Sequence, residues 1–176
     1  NIITSSDLNN DGKLDLILAS SAFNSPYVFV AMGLVTGGYS TVVATSVGNS
    51  PTAIICNDFN DDGIKDVVVT NRSNGYRSVL IGNGNGGFSN VLLNGCIEGE
   101  AGVANADFNN DGKQDLAIAN SINCFINVLL GSGETNAYAI FGKTRYTTGM
   151  NPESVACADF NGDGYLDLIV GNRTSK

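Results

Sequence analysis

The residues of this sequence best suited to chemistry are its 13 aspartates, and all of them fall in four nine-residue windows. These read DLNNDGKLD, DFNDDGIKD, DFNNDGKQD and DFNGDGYLD, beginning at Asp7, Asp58, Asp107 and Asp159. Calcium takes about six to eight hard oxygen ligands, and alternate residues of a tightly turning loop can aim their oxygens at one centre. Positions 1, 3, 5 and 9 supply side-chain oxygens and position 7 a backbone carbonyl. The expected ligands are therefore Asp7, Asn9, Asp11, Asp15 and the Lys13 carbonyl in the first loop, and Asp58, Asn60, Asp62, Asp66 and the Ile64 carbonyl in the second. In the third they are Asp107, Asn109, Asp111, Asp115 and the Lys113 carbonyl, and in the fourth Asp159, Asn161, Asp163, Asp167 and the Tyr165 carbonyl.

Three carboxylates packed into nine residues repel one another unless a cation neutralises them. Four Ca²⁺ ions would carry +8 against the formal charge of −8. Position 6 is always glycine (Gly12, Gly63, Gly112, Gly164), as a sharp reversal with positive φ requires. An EF-hand also begins DxNxDG, but it needs a Glu at position 12, where Leu18, Val69, Ile118 and Val170 stand. Magnesium demands near-ideal octahedral geometry, and zinc is poorly served by hard oxygen in a chain with no histidine.

The loops recur at spacings of 51, 49 and 52 residues, so the chain is an internal repeat. In each unit a short strand enters the loop and a continuous apolar run leaves it: Leu16–Ala19, Val67–Val69, Leu116–Ala119 and Leu168–Val170. Such short runs of Val, Ile and Leu read as strands buried on both faces. Two further strands follow in the first three units, separated by Gly- and Asn-rich turns. Four antiparallel strands per unit with no helical periodicity describe an all-β fold of propeller blades. The apolar residue at position 2 (Leu8, Phe59, Phe108, Phe160) has no metal role and is expected to plug the seam between neighbouring blades.

The pattern SPTAIICNDFNDDGIKDVVVTN followed by VLIGNGNGGF resembles the FG-GAP/VCBS repeats of integrin α-subunit propellers, certain fungal lectins and many secreted proteins. The resemblance covers essentially the whole chain. It implies one partial propeller over 1–176, with repeats near 1–48, 49–97, 98–149 and 150–176 and about three and a half blades of a ring that usually closes at about seven. The chain is then expected to be completed by another copy or by the rest of a longer chain.

Cys56 and Cys157 share a repeat position a whole blade apart from each other, beyond the reach of a disulfide, and read as buried thiols. Cys96 and Cys124 fall on one face of the third unit, where a disulfide is expected and two free thiols are the alternative. Asn71 and Asn172 head Asn-Arg-Ser and Asn-Arg-Thr and are candidate glycosylation sites. Because they occupy equivalent repeat positions, a structural role in the turn competes with a glycan. Calcium loops and a disulfide both suit an extracellular setting, secreted or cell-surface.

The acidic balance argues against nucleic acid, and no stretch of about 18 apolar residues argues for membrane insertion. Apart from the aspartates expected as metal ligands, only Asp61, Glu98, Glu100, Glu134 and Glu153 remain as acids, and no histidine is available as a base, so catalysis is not expected. The resemblance implies a non-catalytic recognition or adhesion module whose ligand is a protein or glycan, with a calcium-dependent carbohydrate-binding lectin as the alternative. Candidate contacts on the face opposite the loops are Phe23, Tyr27, Arg72, Tyr76 and Arg77.

Overall fold

The computed structural model describes residues 2–20, 26–73, 76–93, 98–133 and 141–174. Strands β1 (Ile2–Ser6), β2 (Asp15–Ala19), β3 (Tyr27–Ala31) and β4 (Val43–Ser46) form the first antiparallel sheet in sequence order. The second sheet holds β5 (Pro51–Asn57), β6 (Asp66–Asn71), β7 (Arg77–Gly82) and β8 (Phe88–Leu93), and the third β9 (Glu100–Ala106), β10 (Asp115–Asn120), β11 (Phe125–Leu130) and β12 (Phe141–Thr147). The fourth pairs β13 (Met150–Ala158) with β14 (Asp167–Thr174). Each sheet is one blade of a β-propeller, and each acidic window is the loop between a blade's first two strands. No described residue is helical, so among the described residues no helix is long and apolar enough to cross a membrane.

The cores lie between blades. Side chains alternate across a strand, so β6 sends Val67 and Val69 to one neighbour and Val68 to the other. Val67 and Val69 pack with Ile17, Val28 and Val30 of the first blade, while Val68 and Val79 pack with Leu116, Ile118 and Leu129 of the third. β6 and β10 are accordingly buried at every residue. β2 is buried on one face only, and β14 leaves Ile169 57% exposed on its outer face.

Position 2 does plug the seams. Leu8 is 2% exposed within the core shared by the first two blades. Phe59 packs into the next seam and Phe108 into the one after. Each plug points forward, toward the following blade. Phe160 has the same place in the fourth blade and is 60% exposed, with no fifth sheet among the described residues packed against it.

Polar groups tie the second and third blades together as well. The hydroxyls of Thr52 and Thr70 donate to the carbonyls of Glu100 and Ala101 at 2.9 and 2.7 Å, fixing β9 against the preceding sheet. Asn57 and Asn105 both donate to Gln114 Oε1, at 2.7 and 2.8 Å. At the opposite rim Arg77 Nη2 pairs with Glu100 Oε1, with both residues almost fully buried. A buried pair of this kind offsets desolvation only while both charges are present. Arg77 is therefore a joint between blades and not the exposed ligand contact that its place beside a loop suggests.

Candidate functional site

The four acidic loops fold alike. Position 6 takes a positive φ in each, +81° at Gly12, +83° at Gly63, +85° at Gly112 and +86° at Gly164. Position 4 is also left-handed, at Asn10, Asp61, Asn110 and Gly162. Asparagine, aspartate and glycine are the residues that tolerate this region best.

These two reversals turn the early side chains inward. The position-1 carboxylate accepts the N–H of position 6 at 2.8 Å in the first and second loops, 2.7 Å in the third and 2.9 Å in the fourth. The N–H of position 5 is shared in every loop between Oδ1 of position 1 and Oδ1 of position 3. The Asp11 N–H meets Asp7 and Asn9 both at 3.1 Å, and the Asp62 N–H meets Asp58 at 3.2 Å and Asn60 at 3.1 Å. Asp111 N–H meets Asp107 at 3.0 Å and Asn109 at 3.1 Å, and Asp163 N–H meets Asp159 at 3.2 Å and Asn161 at 2.9 Å. Two side-chain oxygens thus converge on one point in all four loops. The position-5 carboxylate closes the turn by accepting the N–H of position 7, at 2.8 Å for Asp11, Asp62 and Asp163 and 2.9 Å for Asp111.

Position 9 behaves differently. Asp15, Asp66 and Asp115 are fully buried, and each spans two elements. One oxygen accepts the position-2 N–H, from Leu8 at 2.8 Å, Phe59 at 3.1 Å and Phe108 at 2.8 Å. The other accepts from the glycine ending the third strand of the blade: Gly33 at 2.8 Å, Gly82 at 2.9 Å and Gly131 at 2.7 Å. In the fourth loop Asp167 accepts from Phe160 at 3.1 Å. Among the described residues no three acidic or thiol side chains gather into a metal cage by themselves, since position 9 is turned to the backbone while positions 1, 3 and 5 face the loop centre.

The strand-end glycines are functional residues that sequence reasoning missed. A Cβ at Gly82 would stand 2.3 Å from the Lys65 carbonyl oxygen, and one at Gly131 would stand 2.2 Å from that of Gln114. Only glycine lets this backbone approach the loop. The available signal was the recurrence of a glycine 16 residues after both Asp66 and Asp115.

The electrostatics separate the positions further. Burial pushes the Asp66 carboxyl up to about 6, the N–H groups of Gly82 and Phe59 oppose the shift, and the charges of Asp62 and Asp58 add to it. Asp115 is raised in the same way, first by burial and then by Asp111 and Asp107. The Lys113 N–H holds Asp111 below its usual value, and the Gly164 N–H does the same for Asp159. Neighbouring carboxylates of one loop thus repel one another, which a bound cation would relieve. The donors are oxygens only, a set that fits calcium and neither zinc nor a soft metal.

The other expected residues resolve as follows. Asn71 is 1% exposed, and its Nδ2 donates to the carbonyls of Val69 and Tyr76 and to Ser78 Oγ at 3.4, 3.2 and 3.2 Å. The nitrogen that would carry a glycan is thus engaged inside the blade, which favours the turn role weighed against a glycan at Asn71. Asn172 is half-buried opposite Pro152, as Asn71 is opposite Pro51. Cys56, Cys124 and Cys157 are free thiols; Cys96, the expected partner of Cys124, and Phe23 lie outside the described residues. Cys56 is not reactive in character, since burial pushes its thiol up to about 12. Tyr27 and Tyr76 are 43% and 37% exposed.

The architecture recurs in solved structures at low identity, which concerns the fold alone. One is described as BBS1N in complex with ARL6DN, soaked with lead: TM-score 0.60, 14% identity, covering 96% of this chain and 52% of that one. The Photorhabdus luminescens Tc holotoxin pore matches with TM-score 0.55 and 19% identity over 98% of this chain and 8% of its own. The V. cholerae biofilm matrix protein Bap1 matches with TM-score 0.50 and 18% identity over 96% and 27%. The chain therefore spans about half or less of each of these proteins. No curated relative matches the sequence. The FG-GAP-like repeat matches three times in overlapping frames, over residues 7–69, 58–118 and 107–170, and the chain belongs to that family.

Proposed function

We propose that this chain is a calcium-binding, non-catalytic recognition or adhesion module, with one Ca²⁺ in each of four loops, working in the high-calcium extracellular space. The observation that carries the reading is the repeated convergence of two side-chain oxygens on the position-5 N–H in all four loops. Positions 1, 3 and 5 with the position-7 carbonyl would hold the ion, and position 9 would complete the site or anchor it to the third strand. A bound calcium supplies the positive charge that lets carboxylates share one turn. The chain's own residues do the rest: the loop fixes the entry angle of β2, β6, β10 and β14, and the adjacent position-2 side chain locks the seam.

The same arrangement explains why the loops themselves are not the recognition surface. Their oxygens face inward, and the turns that lie beside them are occupied by the strand-end glycines. Ligand contacts then belong to the opposite rim, where the second-to-third-strand loops and the starts of the first strands meet. The apolar outer faces of the first and fourth blades are to be covered by another copy or by further blades of a longer chain.

Calorimetric titration of metal-stripped protein with CaCl₂ tests the reading. Four equivalents are expected, together with a rise in melting temperature that grows with ligand concentration. Fewer than one equivalent, or magnesium matching calcium in affinity, would refute it.

A further inference from the structure

On the rim opposite the acidic loops an open groove of about 640 Å³ collects positive charge. Its walls include Arg72 from the second blade, Ser121 and Ile122 from the third, and Asn151, Glu153 and Arg173 from the fourth. Arg72 and Arg173 follow Asn71 and Asn172, so they are the same repeat position two blades apart. Both reach Oε1 of Glu153, each through a single nitrogen at 3.5 Å.

The use of the remaining cations makes this groove distinctive. Of the four arginines, Arg77 is buried against Glu100 and Arg145 lies over the Phe125 ring at 4.8 Å. Lys13, Lys65 and Lys113 belong to the acidic loops. Among the described residues, Arg72 and Arg173 are thus the arginines that meet in one groove, and they do so in a chain of formal charge −8. Their backbones are fixed: the Arg72 N–H donates to Ser50 and its carbonyl accepts from Gly99, at 2.9 and 3.0 Å. Arg173 lies within β14, and Asn151 beside it donates to Thr174 at 2.7 Å.

Each guanidinium carries five N–H donors in a planar fork made for two-point contact with a carboxylate. Glu153 satisfies one corner of each fork with one oxygen, at a distance and exposure where ion pairs contribute little. We infer that this groove binds a carboxylate of an acidic peptide segment of a partner protein, with Glu153 acting as a built-in competitor that the incoming carboxylate displaces. A sugar acid is disfavoured because, among the described residues, no aromatic ring lines the groove for stacking, whereas Ile122, 61% exposed, offers an apolar wall suited to a peptide side chain. The inference rests on the recognition reading above and gives it a partner class.

The test is a titration of the ¹⁵N-labelled chain in calcium buffer with hexaglutamate, with hexalysine and a glucuronate-containing oligosaccharide as comparisons. Hexaglutamate is expected to saturate and to shift the Arg72 and Arg173 side-chain Nε–H signals. Arg72→Ala and Arg173→Ala should each weaken binding about tenfold, Glu153→Gln should tighten it about threefold, and Glu98→Gln, an exposed acid outside the groove, should leave it unchanged. Backbone spectra of each variant confirm that it folds. Absence of saturation at millimolar peptide, or affinities insensitive to Arg72 and Arg173, would overturn the site, and preference for the oligosaccharide would overturn the peptide assignment. Calcium stoichiometry measured on the same samples separates failure of the groove from failure of the calcium reading.

Discussion

Truncating the seam plug of the first blade should unlock it from the second, whereas the same truncation in the fourth blade should do almost nothing. Leu8 is 2% exposed and touches a core drawn from both blades, so Leu8→Ala removes buried methyl groups and leaves a cavity between two sheets that cannot both collapse. Buried Leu→Ala changes cost roughly 3–5 kcal/mol in well-packed sites. We take about 3 kcal/mol here, since one side of the cavity is a loop that can relax. For a chain of this size that lowers Tm by about 6–12 °C. Phe160→Ala removes a larger side chain at the equivalent position, but its ring is 60% exposed, and the change should stay within about 0.5 kcal/mol. Thermal and urea unfolding in excess calcium, followed by circular dichroism, give both numbers. Equal costs for the two variants, or less than about 1 kcal/mol for Leu8→Ala, would refute the claim that position 2 acts through the following blade.

Gly82→Ala should weaken calcium at the second loop and destabilise the chain by about 1–3 kcal/mol, because its Cβ would collide with the Lys65 carbonyl; titration that still shows four equal sites would contradict this. Cys56 should resist iodoacetamide at pH 8.5 in the folded protein and react only on unfolding, since its thiol stays protonated well above that pH; peptide mapping by mass spectrometry reads the result. Asn71 should carry no glycan when the chain is secreted from a glycosylating host, and Asn71→Ala should cost about 1–3 kcal/mol by leaving Ser78 and two carbonyls short of a donor. Light scattering on the 176-residue chain with calcium present should show association through the exposed faces that hold Leu18 and Ile169, and a stable monomer at micromolar concentration would count against it.

The strands and loops were legible because their signals are local. The apolar runs after Asp15, Asp66 and Asp115 became β2, β6 and β10, and the DxNxDG spacing placed left-handed residues where the loop reverses. What could not be read depends on pairing between strands and between blades. Arg77 looks like a loop cation until Glu100, 23 residues away, is brought beside it. Asn71 looks like an acceptor sequon until Tyr76 and Ser78 fold back over its amide. Beside the metal contact expected of position 9, the sequence did not show its structural role: its two backbone partners lie 7 residues before it and up to 18 after, and only the second of these required the third strand to be in place. Plug residues were assigned correctly as a class, but Phe160 shows that burial at a repeat position is a property of the neighbour as much as of the residue.

The forward-pointing plug also bears on how such chains grow. Each blade presents a protruding side chain on its leading face and an apolar receptacle on its trailing face, so every unit carries both halves of a joint. A tandem duplication of about fifty residues copies the pair together and inserts a blade whose two seams already match its neighbours. Loss of a unit leaves the flanking halves equally compatible. Blade number can then drift between relatives without any seam being reinvented, while those rim side chains that take no part in the joints are free to diverge from one copy to the next.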